Sequence, residues 1–362
     1  MSIGKAAAAT GGLLLAAGVV AAWILSAPSP GVTAVPEGKA DLANGETLYH
    51  AGSCLACHRP ADGAAMTEPA LPSGGAPFKT PVGTFFPQNL TPDPETGIGR
   101  WSAADFVNAM TRGLSPAGTH YFPAFPYTSY RFVRTEDLLD LRGYLRSLPP
   151  VRSAARKADV PLLGIARRGV GLWKRLALRE GGFRPDPARG PAWNRGAYLV
   201  NGPGHCAECH TPRNLLMVMQ PARGFAGAKH PAGEGQVPSL RGLVARGKYK
   251  DVADLALALQ NGETFGYEHL SSGGMAAIQT NLGLLPESDA GAIAEYLASL
   301  QLVPGGRRGP EALVATGPRV SSGSLPAGSA PPPLSGPRGG RGRRGSGSCR
   351  ASRRSRRRSP PS

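Results

Sequence analysis

Two short stretches of the chain place cysteines and a histidine at a spacing that supports chemistry. They read Cys54-Leu55-Ala56-Cys57-His58 and Cys206-Ala207-Glu208-Cys209-His210. In each, two thiols one helical turn apart can form thioethers with the two vinyl groups of one porphyrin, and the adjacent imidazole can ligate its iron. The spacing therefore predicts two covalently attached c-type haems. The thioethers would come from Cys54, Cys57, Cys206 and Cys209, and the axial iron ligands from His58 and His210.

A Cys-x-x-Cys pair is also found in redox dithiols and as half of a zinc site. Both pairs here are followed at once by histidine, and no short Cys/His spacing completes a tetrahedral zinc site. Haem attachment is therefore the favoured interpretation. One further cysteine, Cys349, is left over, so the sequence implies no disulfide framework.

The ligand on the opposite side of each iron sets the character of the haem. For the second haem we predict Met275, because the Ser/Gly stretch before it, Ser271-Ser272-Gly273-Gly274, would let the sulfur approach the iron. Met217 and Met219 follow the second motif too closely to reach the opposite face.

The first haem has no methionine in the equivalent loop. His120 lies in the right region and is the candidate for a bis-histidine haem. A solvated loop histidine with an unligated or water-bound iron is the alternative. Met110 falls inside a predicted helix, where a core role fits better.

The elements that must position these groups are helical, so the predicted fold class is all-α. In the first half, residues 41–51 form a helix that leads into the motif, and Ser102 with Asp105 forms a capping box that opens a helix over residues 103–112. A closing helix is expected at about 136–148. The Pro/Gly-rich stretch 68–94 is expected to be irregular.

The second half repeats this plan. A helical stretch again precedes the motif, a middle helix is predicted at 251–260 and a closing helix at 287–300. The closing helices end alike, in Tyr144-Leu145-Arg146-Ser147-Leu148 and Tyr296-Leu297-Ala298-Ser299-Leu300. The duplication predicts two similar domains, residues 38–150 and 188–304.

The linker between them, residues 151–187, contains a basic, partly apolar segment around Trp173. One interpretation is a helix that lies on an anionic membrane surface or docks a partner. The other is a linker packed across both domains with its charges solvated.

The N-terminus predicts a membrane anchor. Lys5 precedes an uncharged run over residues 6–25, about the twenty residues that a spanning helix needs. Cleavage after Ala27 would put the bulky Leu25 at the third position before the cut and Pro28 just after it, which fits a signal-peptide cleavage site poorly. A removed signal peptide is therefore the alternative and not the favoured interpretation. We therefore expect an uncleaved N-terminal transmembrane helix within residues 1–30, at the inner membrane, with the haem domains in the periplasm.

The last segment, residues 305–362, is a disordered Arg/Gly/Ser/Pro-rich tail by composition. It carries 13 Arg against one acid, Glu311, and so contributes 12 of the net charge of +17. It has no aromatic residue to stack on bases, and the chain is expected to be exported, so a nucleic-acid partner is excluded.

Three stretches resemble the cytochrome c subunits of bacterial alcohol, aldehyde and gluconate dehydrogenases. They are residues 89–101, Phe122-Pro123-Ala124-Phe125-Pro126-Tyr127, and residues 194–214 with the second motif. The two-haem relatives found with molybdenum hydroxylases of the nicotinate and isoquinoline type are more similar still. The resemblance covers residues 38–304 and implies two tandem class I cytochrome c domains at a membrane. Such a subunit, with no catalytic residues of its own, takes electrons from a dehydrogenase catalytic subunit and passes them to quinone or a terminal oxidase.

The sequence departs from that family around the first haem. Phe125 and Val133 stand where the family usually has a methionine, no third motif follows, and the basic tail lies outside the pattern. The alternative function is therefore a haem enzyme, thiosulfate dehydrogenase-like or peroxidase-like, that uses an open first haem.

Overall fold

The computed structural model describes residues 3–36, 38–61, 70–154, 156–178, 181–231, 235–263 and 274–302. Within these ranges the chain is mostly helical with two short hairpins, in agreement with the predicted all-α class. The predicted tail, residues 305–362, lies outside the described residues.

We call residues 38–150 the first half and residues 188–302 the second half. Before and within the first half, the helices are α1 (Ile3–Leu25), α2 (Leu42–Ala51), α3 (Cys54–His58), α4 (Ala103–Arg112), α5 (Tyr127–Tyr130) and α6 (Thr135–Ser147), and the strands are β1 (Phe78–Thr80) and β2 (Gly83–Phe85). From the linker onwards, the helices are α7 (Leu163–Ala177), α8 (Pro191–Asn201), α9 (Ala207–His210), α10 (Val252–Gln260), α11 (Gly274–Leu282) and α12 (Glu287–Ser299), and the strands are β3 (Ala228–Lys229) and β4 (Gln236–Val237).

Polar caps start the helices where the sequence predicts them. Asp41 accepts hydrogen bonds from two backbone N–H groups at the start of α2, and Asp251 accepts one at the start of α10. The capping box of Ser102 and Asp105 opens α4, which ends at Gly113 in the left-handed conformation (φ 60°). The predicted helices at 41–51, 103–112, 136–148, 251–260 and 287–300 are thus confirmed within a residue or so at each end.

Each half is built on one close helix crossing. α2 packs across α6, and α8 packs across α12. A Cβ at Gly45 would collide with the carbonyl oxygen of Asp140, and a Cβ at Gly196 would collide with that of Ala292. Glycine is therefore required at both crossings, and the repeated geometry agrees with the internal repeat in the sequence.

A small antiparallel hairpin follows each haem motif, which the sequence did not predict. β1 pairs with β2 in the register Phe78↔Phe85, and β3 pairs with β4 in the register Ala228↔Val237. The expectation that residues 68–94 are wholly irregular is wrong for this hairpin. Strands of two or three residues are too short to show an alternating pattern of apolar and polar residues.

The linker helix α7 contacts both halves. Lys174 Nζ donates hydrogen bonds to the carbonyls of Arg112 (2.7 Å) and Gly113 (2.8 Å), and Trp173 Nε1 donates to the carbonyl of Leu216 (2.7 Å). The interpretation of a linker packed across both domains therefore holds. Its charges are not all solvated, because Lys174 is only 8% exposed.

The predicted transmembrane anchor, and the inner-membrane location drawn from it, are wrong. Among the described residues no helix is both long enough and apolar enough to cross a membrane. The longest helix, α1, has 23 residues. Residues 4–12 of α1 are Gly, Lys, Ala and Thr, and its large apolar side chains resume at Leu13.

Candidate haem sites

A tight left-handed turn delivers each haem motif from the helix before it. Ser53 (φ 46°) and His205 (φ 39°) immediately precede the first cysteine of the two motifs. Non-glycine residues rarely adopt this conformation, and its recurrence at equivalent positions marks the turn as part of the motif's architecture. After this turn, the first cysteine of each motif, Cys54 or Cys206, packs against the hydrophobic core.

The histidines of the two motifs are held in the same way. His58 Nδ1 donates a hydrogen bond to the carbonyl of Gln88 at 2.6 Å, and His210 Nδ1 donates to that of Pro238 at 2.7 Å. A carbonyl oxygen only accepts, so the proton is on Nδ1 and the lone pair is on Nε2. This is the tautomer and the orienting bond that a metal-ligating histidine requires.

The protonation states fit haem attachment better than thiol redox chemistry. Burial lowers the pKa of both His58 and His210, which favours the neutral, ligating imidazole. Burial also raises the pKa of the Cys54 and Cys206 thiols to about 12. A redox dithiol needs a thiolate with a lowered pKa, so this alternative finds no support.

A small cavity lies beside Cys54 in the first half. Its lining is almost wholly apolar and comes from the helices α2 to α6, the residues between them and the turn before the second motif. The lining residues are Leu48, Gly52, Cys54, Met110, Tyr130, Val133, Leu138, Leu141 and Pro203. Met110 is buried in this core, as the sequence suggested, but it also borders the candidate haem site.

His120 is buried next to the linker helix rather than solvated in a loop. Its Nε2 lies 3.1 Å from the carbonyl oxygen of Ser26, and its Nδ1 lies 3.1 Å from Lys174 Nζ. Both ring nitrogens therefore face protein atoms. This arrangement gives no support to His120 as the sixth ligand of the first haem, which stays a prediction.

Met275 lies in the first turn of α11 and is half-buried. The sequence placed it in a flexible stretch and did not predict this helix. α11 lies against α10 and also against α2 and α3 of the first half. Residues 271–273 of the proposed ligand motif lie outside the described residues, and Met275 as the ligand of the second haem stays a prediction.

The chain is similar to several bacterial proteins. A "diheme cytochrome c-type" protein of Cereibacter sphaeroides is 39% identical over 295 residues, which cover 79% of this chain and 94% of that protein. The chain belongs to the cytochrome c subunits of bacterial dehydrogenases. No family model matches the cytochrome.

Two further relatives are longer proteins. One of the subunits of the nicotinate dehydrogenase of Pseudomonas putida is 39% identical over 261 residues, 72% of the cytochrome but only 21% of that relative. The gluconate 2-dehydrogenase cytochrome c subunit of Pantoea cypripedii is 35% identical over 272 residues, 72% of the cytochrome and 59% of that relative. The cytochrome thus spans about a fifth of the length of the nicotinate dehydrogenase subunit and somewhat over half of the length of the gluconate 2-dehydrogenase subunit.

The described residues of the cytochrome fit haem c on a second count. Arg241, in the loop after Pro238, is only 6% exposed. Its Nε donates to the carbonyl of Gly224 (2.6 Å) and its Nη1 to that of Gln301 (3.3 Å). Its Nη2 is buried with no hydrogen-bond partner among the described residues. A carboxylate of the porphyrin is the kind of acceptor that this buried cationic nitrogen requires.

Two carboxylates of the cytochrome are buried and hydrogen-bonded, which the sequence did not predict. Asp137, in the first turn of α6, accepts hydrogen bonds from Tyr198 of α8. Glu208, inside the second motif, accepts hydrogen bonds from Thr128 and Ser129 of α5. Both links join the two halves. An acid in the first turn of a helix is ordinarily explained by the helix dipole, so its spacing gave no sign of a distant partner.

Proposed function

We propose that the cytochrome carries two covalently bound haems and transfers electrons from a dehydrogenase catalytic subunit to an acceptor. Cys54 and Cys57 would hold the first haem, and Cys206 and Cys209 the second, with the histidine that follows each pair as an axial ligand. When bound, each haem would supply one reversible Fe(III)/Fe(II) couple, which accepts and releases one electron at a time.

The catalytic partner would oxidise an alcohol, aldehyde or gluconate, or be of the molybdenum hydroxylase type, and quinone or a terminal oxidase would be the acceptor. The relatives support this class of partner, since their names describe cytochrome subunits of dehydrogenases. The observation that carries the proposal is the matched pair of motif histidines, each oriented by a hydrogen bond from Nδ1 to a backbone carbonyl.

The attachment is tested by intact-mass spectrometry of the full chain expressed with a haem-attachment system. The wild-type chain should carry the added mass of two haems. Cys54→Ala and Cys206→Ala should each remove one covalent haem, whereas Cys349→Ala, in the tail, should retain both. A wild-type chain that carries only one haem or none would refute the proposal.

The sixth ligand of the second haem is tested by optical spectroscopy. Met275→Ala should abolish the sulfur-to-iron charge-transfer band of the oxidised protein, because the thioether supplies that band. Met217→Ala, which truncates a half-exposed methionine near the same motif, should leave the band in place. A band that survives Met275→Ala would mean that the ligand lies elsewhere.

A haem enzyme is the second candidate function, and the cavity beside Cys54 favours it. Val133, which has no ligating atom, lines that cavity where the resemblance leads us to expect a methionine ligand, and Met110 lines it from the helix α4. An iron without a protein ligand there would bind a small molecule. Ready binding of carbon monoxide at one haem, with turnover of thiosulfate or peroxide in the absence of a partner, would favour the enzyme. Two inert, six-coordinate irons would exclude it.

A further inference from the structure

The turns that precede the two haem motifs lie against each other. His205 Nε2 lies 3.2 Å from the carbonyl oxygen of Gly52, which links the residue before Cys206 to the residue two before Cys54. A Cβ at Gly52 would lie 3.4 Å from the oxygen of Pro203, and a Cβ at Gly204 would lie 3.6 Å from that of Ala51. The two turns therefore lie within van der Waals reach of each other.

An aromatic contact continues this junction into the first haem site. Tyr130 lines the cavity beside Cys54. Its ring meets the imidazole of His205 edge-on, with the centroids 5.5 Å apart. The side chains thus form a continuous packed connection from the first motif to the residue next to Cys206. Bonds that hold this connection in place also hold the two motifs at a fixed distance from each other.

Glu208 holds the second motif against the first half. It is 8% exposed. Its Oε1 accepts hydrogen bonds from the hydroxyls of Thr128 and Ser129 (2.7 Å for the serine), both in α5. Its Oε2 accepts from Arg213, whose side chain is 16% exposed. A buried carboxylate is tolerated because it is paired and hydrogen-bonded on both oxygens.

The attachment of haem does not itself require this carboxylate. The equivalent position of the first motif is Ala56, and α3 nevertheless forms the same helical turn around its cysteines. Two of the three groups that bond Glu208 come from the other half of the chain. The hydrogen bonds of Glu208 therefore hold the second motif against the first half of the chain, in addition to their contacts within the second half.

We propose that Glu208 is a positioning residue: its bonds to Thr128 and Ser129 fix the separation of the two haems and thereby the rate of electron transfer between them. This inference rests on the proposed two-haem function. In the step concerned, one iron is oxidised from Fe(II) to Fe(III) as the other is reduced from Fe(III) to Fe(II), and no other reactant takes part.

The test removes the two donors and leaves the haem motif intact. The double variant Thr128→Val/Ser129→Ala deletes both hydroxyls with little change of shape. An electron is injected by pulse radiolysis, and its transfer between the haems is followed by absorption. The spin–spin interaction of the two oxidised irons is measured by electron paramagnetic resonance. We expect transfer to slow on the order of tenfold, because small misplacements of reacting groups are costly, and the spin interaction to change.

Two controls separate positioning from stability. Thr128→Ser keeps the donor and should retain the wild-type rate. Ser115→Ala/Thr119→Val removes a second hydroxyl pair, bonded at 2.8 Å on the surface, and should change neither readout. If the double variant lowers only the unfolding temperature, with rate and spin interaction unchanged, Glu208 is merely structural and the inference is wrong. The single variant Thr128→Val gives the same readouts if the double variant does not fold. The intact mass reports haem loading separately, so failure of the two-haem proposal would be recognised as such.

Discussion

Replacement of Asp137 by asparagine should destabilise the cytochrome more than any other single change of charge in α6. The carboxylate is 3% exposed and accepts hydrogen bonds from three side chains. Asn44 Nδ2 donates to Oδ1 at 2.9 Å, while the Tyr198 hydroxyl and Arg134 Nε (2.9 Å) donate to Oδ2. Because all its partners are donors, an amide at position 137 would turn its own N–H groups towards at least one of them.

The magnitude follows from which bonds are buried. The guanidinium of Arg134 is 59% exposed, so its ion pair contributes at most about 1 kcal/mol. The bonds from Tyr198 and Asn44 end on a buried charge, and each is worth about 1.5–3 kcal/mol. Asparagine can retain one of these two, which leaves an expected loss of about 3 kcal/mol. At an unfolding entropy of about 2.1 cal/mol/K per residue, that loss lowers the unfolding midpoint of a folded region of this size by about 5 °C.

The assay is thermal unfolding of the haem-loaded protein, followed by far-ultraviolet circular dichroism and by Soret absorbance. Glu136→Gln is the matched control, because Glu136 is an exposed acid in the same first turn of α6. Both variants lose the favourable interaction with the helix dipole, about 0.3–1 kcal/mol, and only one loses the buried bonds. Tyr198→Phe should reproduce about half of the Asp137→Asn effect. If Asp137→Asn costs no more than Glu136→Gln, the buried network contributes nothing and the reasoning fails.

Two further predictions concern packing and pH. Gly196→Ala should destabilise the folded protein by about 1–3 kcal/mol, because the added methyl group meets the carbonyl of Ala292. Gly291→Ala is the control and should be neutral or stabilising, because nothing lies within 4 Å of a Cβ there. Urea unfolding compares the two variants, and equal effects would contradict the crossing geometry. Burial lowers the pKa of Lys174 to about 7 from its ordinary 10.5, so between these pH values the unfolded chain binds more protons and folding stability should rise with pH. Lys174→Met should remove the rise in folding stability between pH 7 and pH 9, whereas Lys248→Met, at an exposed lysine, should retain it. If the stability of Lys174→Met still rises with pH as in the wild type, Lys174 is not the group responsible.

The sequence was most informative where the signal is local. The capping box at Ser102 and the caps at Asp41 and Asp251 set helix starts within one turn of chain, so the helices that frame each haem motif could be predicted. The haem motifs could also be recognised from the sequence, since covalent attachment requires a fixed spacing of cysteines and histidine.

The contacts that the sequence did not reveal are long-range. Glu208 bonds to a residue 80 positions earlier in the chain, and Tyr198 bonds to one 61 positions earlier. No periodicity encodes such a partner, and a carboxylate in a short motif is more often solvated. α11 was missed because its apolar pattern spans only nine residues, right after the glycine pair 273–274, which was interpreted as a flexible stretch.

The two halves share the groups that build each haem site and differ in the groups that join the sites. Asn44 bonds to Asp137 in the first half, and at the equivalent place Arg195 bonds to Asp289 in the second. Three of the residues that bond across the halves have no equivalent that does so. The equivalents of His205, Tyr198 and Glu208 are Ser53, Thr47 and Ala56, and Thr47 bonds only within its own helix, to the carbonyl of Ala43.

This division separates two kinds of effect. A change at a shared position acts on one haem site and should leave the other site's spectrum unaltered. A change at an unshared position should leave both spectra intact and alter the coupling between the haems, in addition to any loss of stability. The repeat alone would give two independent haem carriers on one chain. Under the proposed two-haem function, the polar residues that break the repeat would make the pair a single relay.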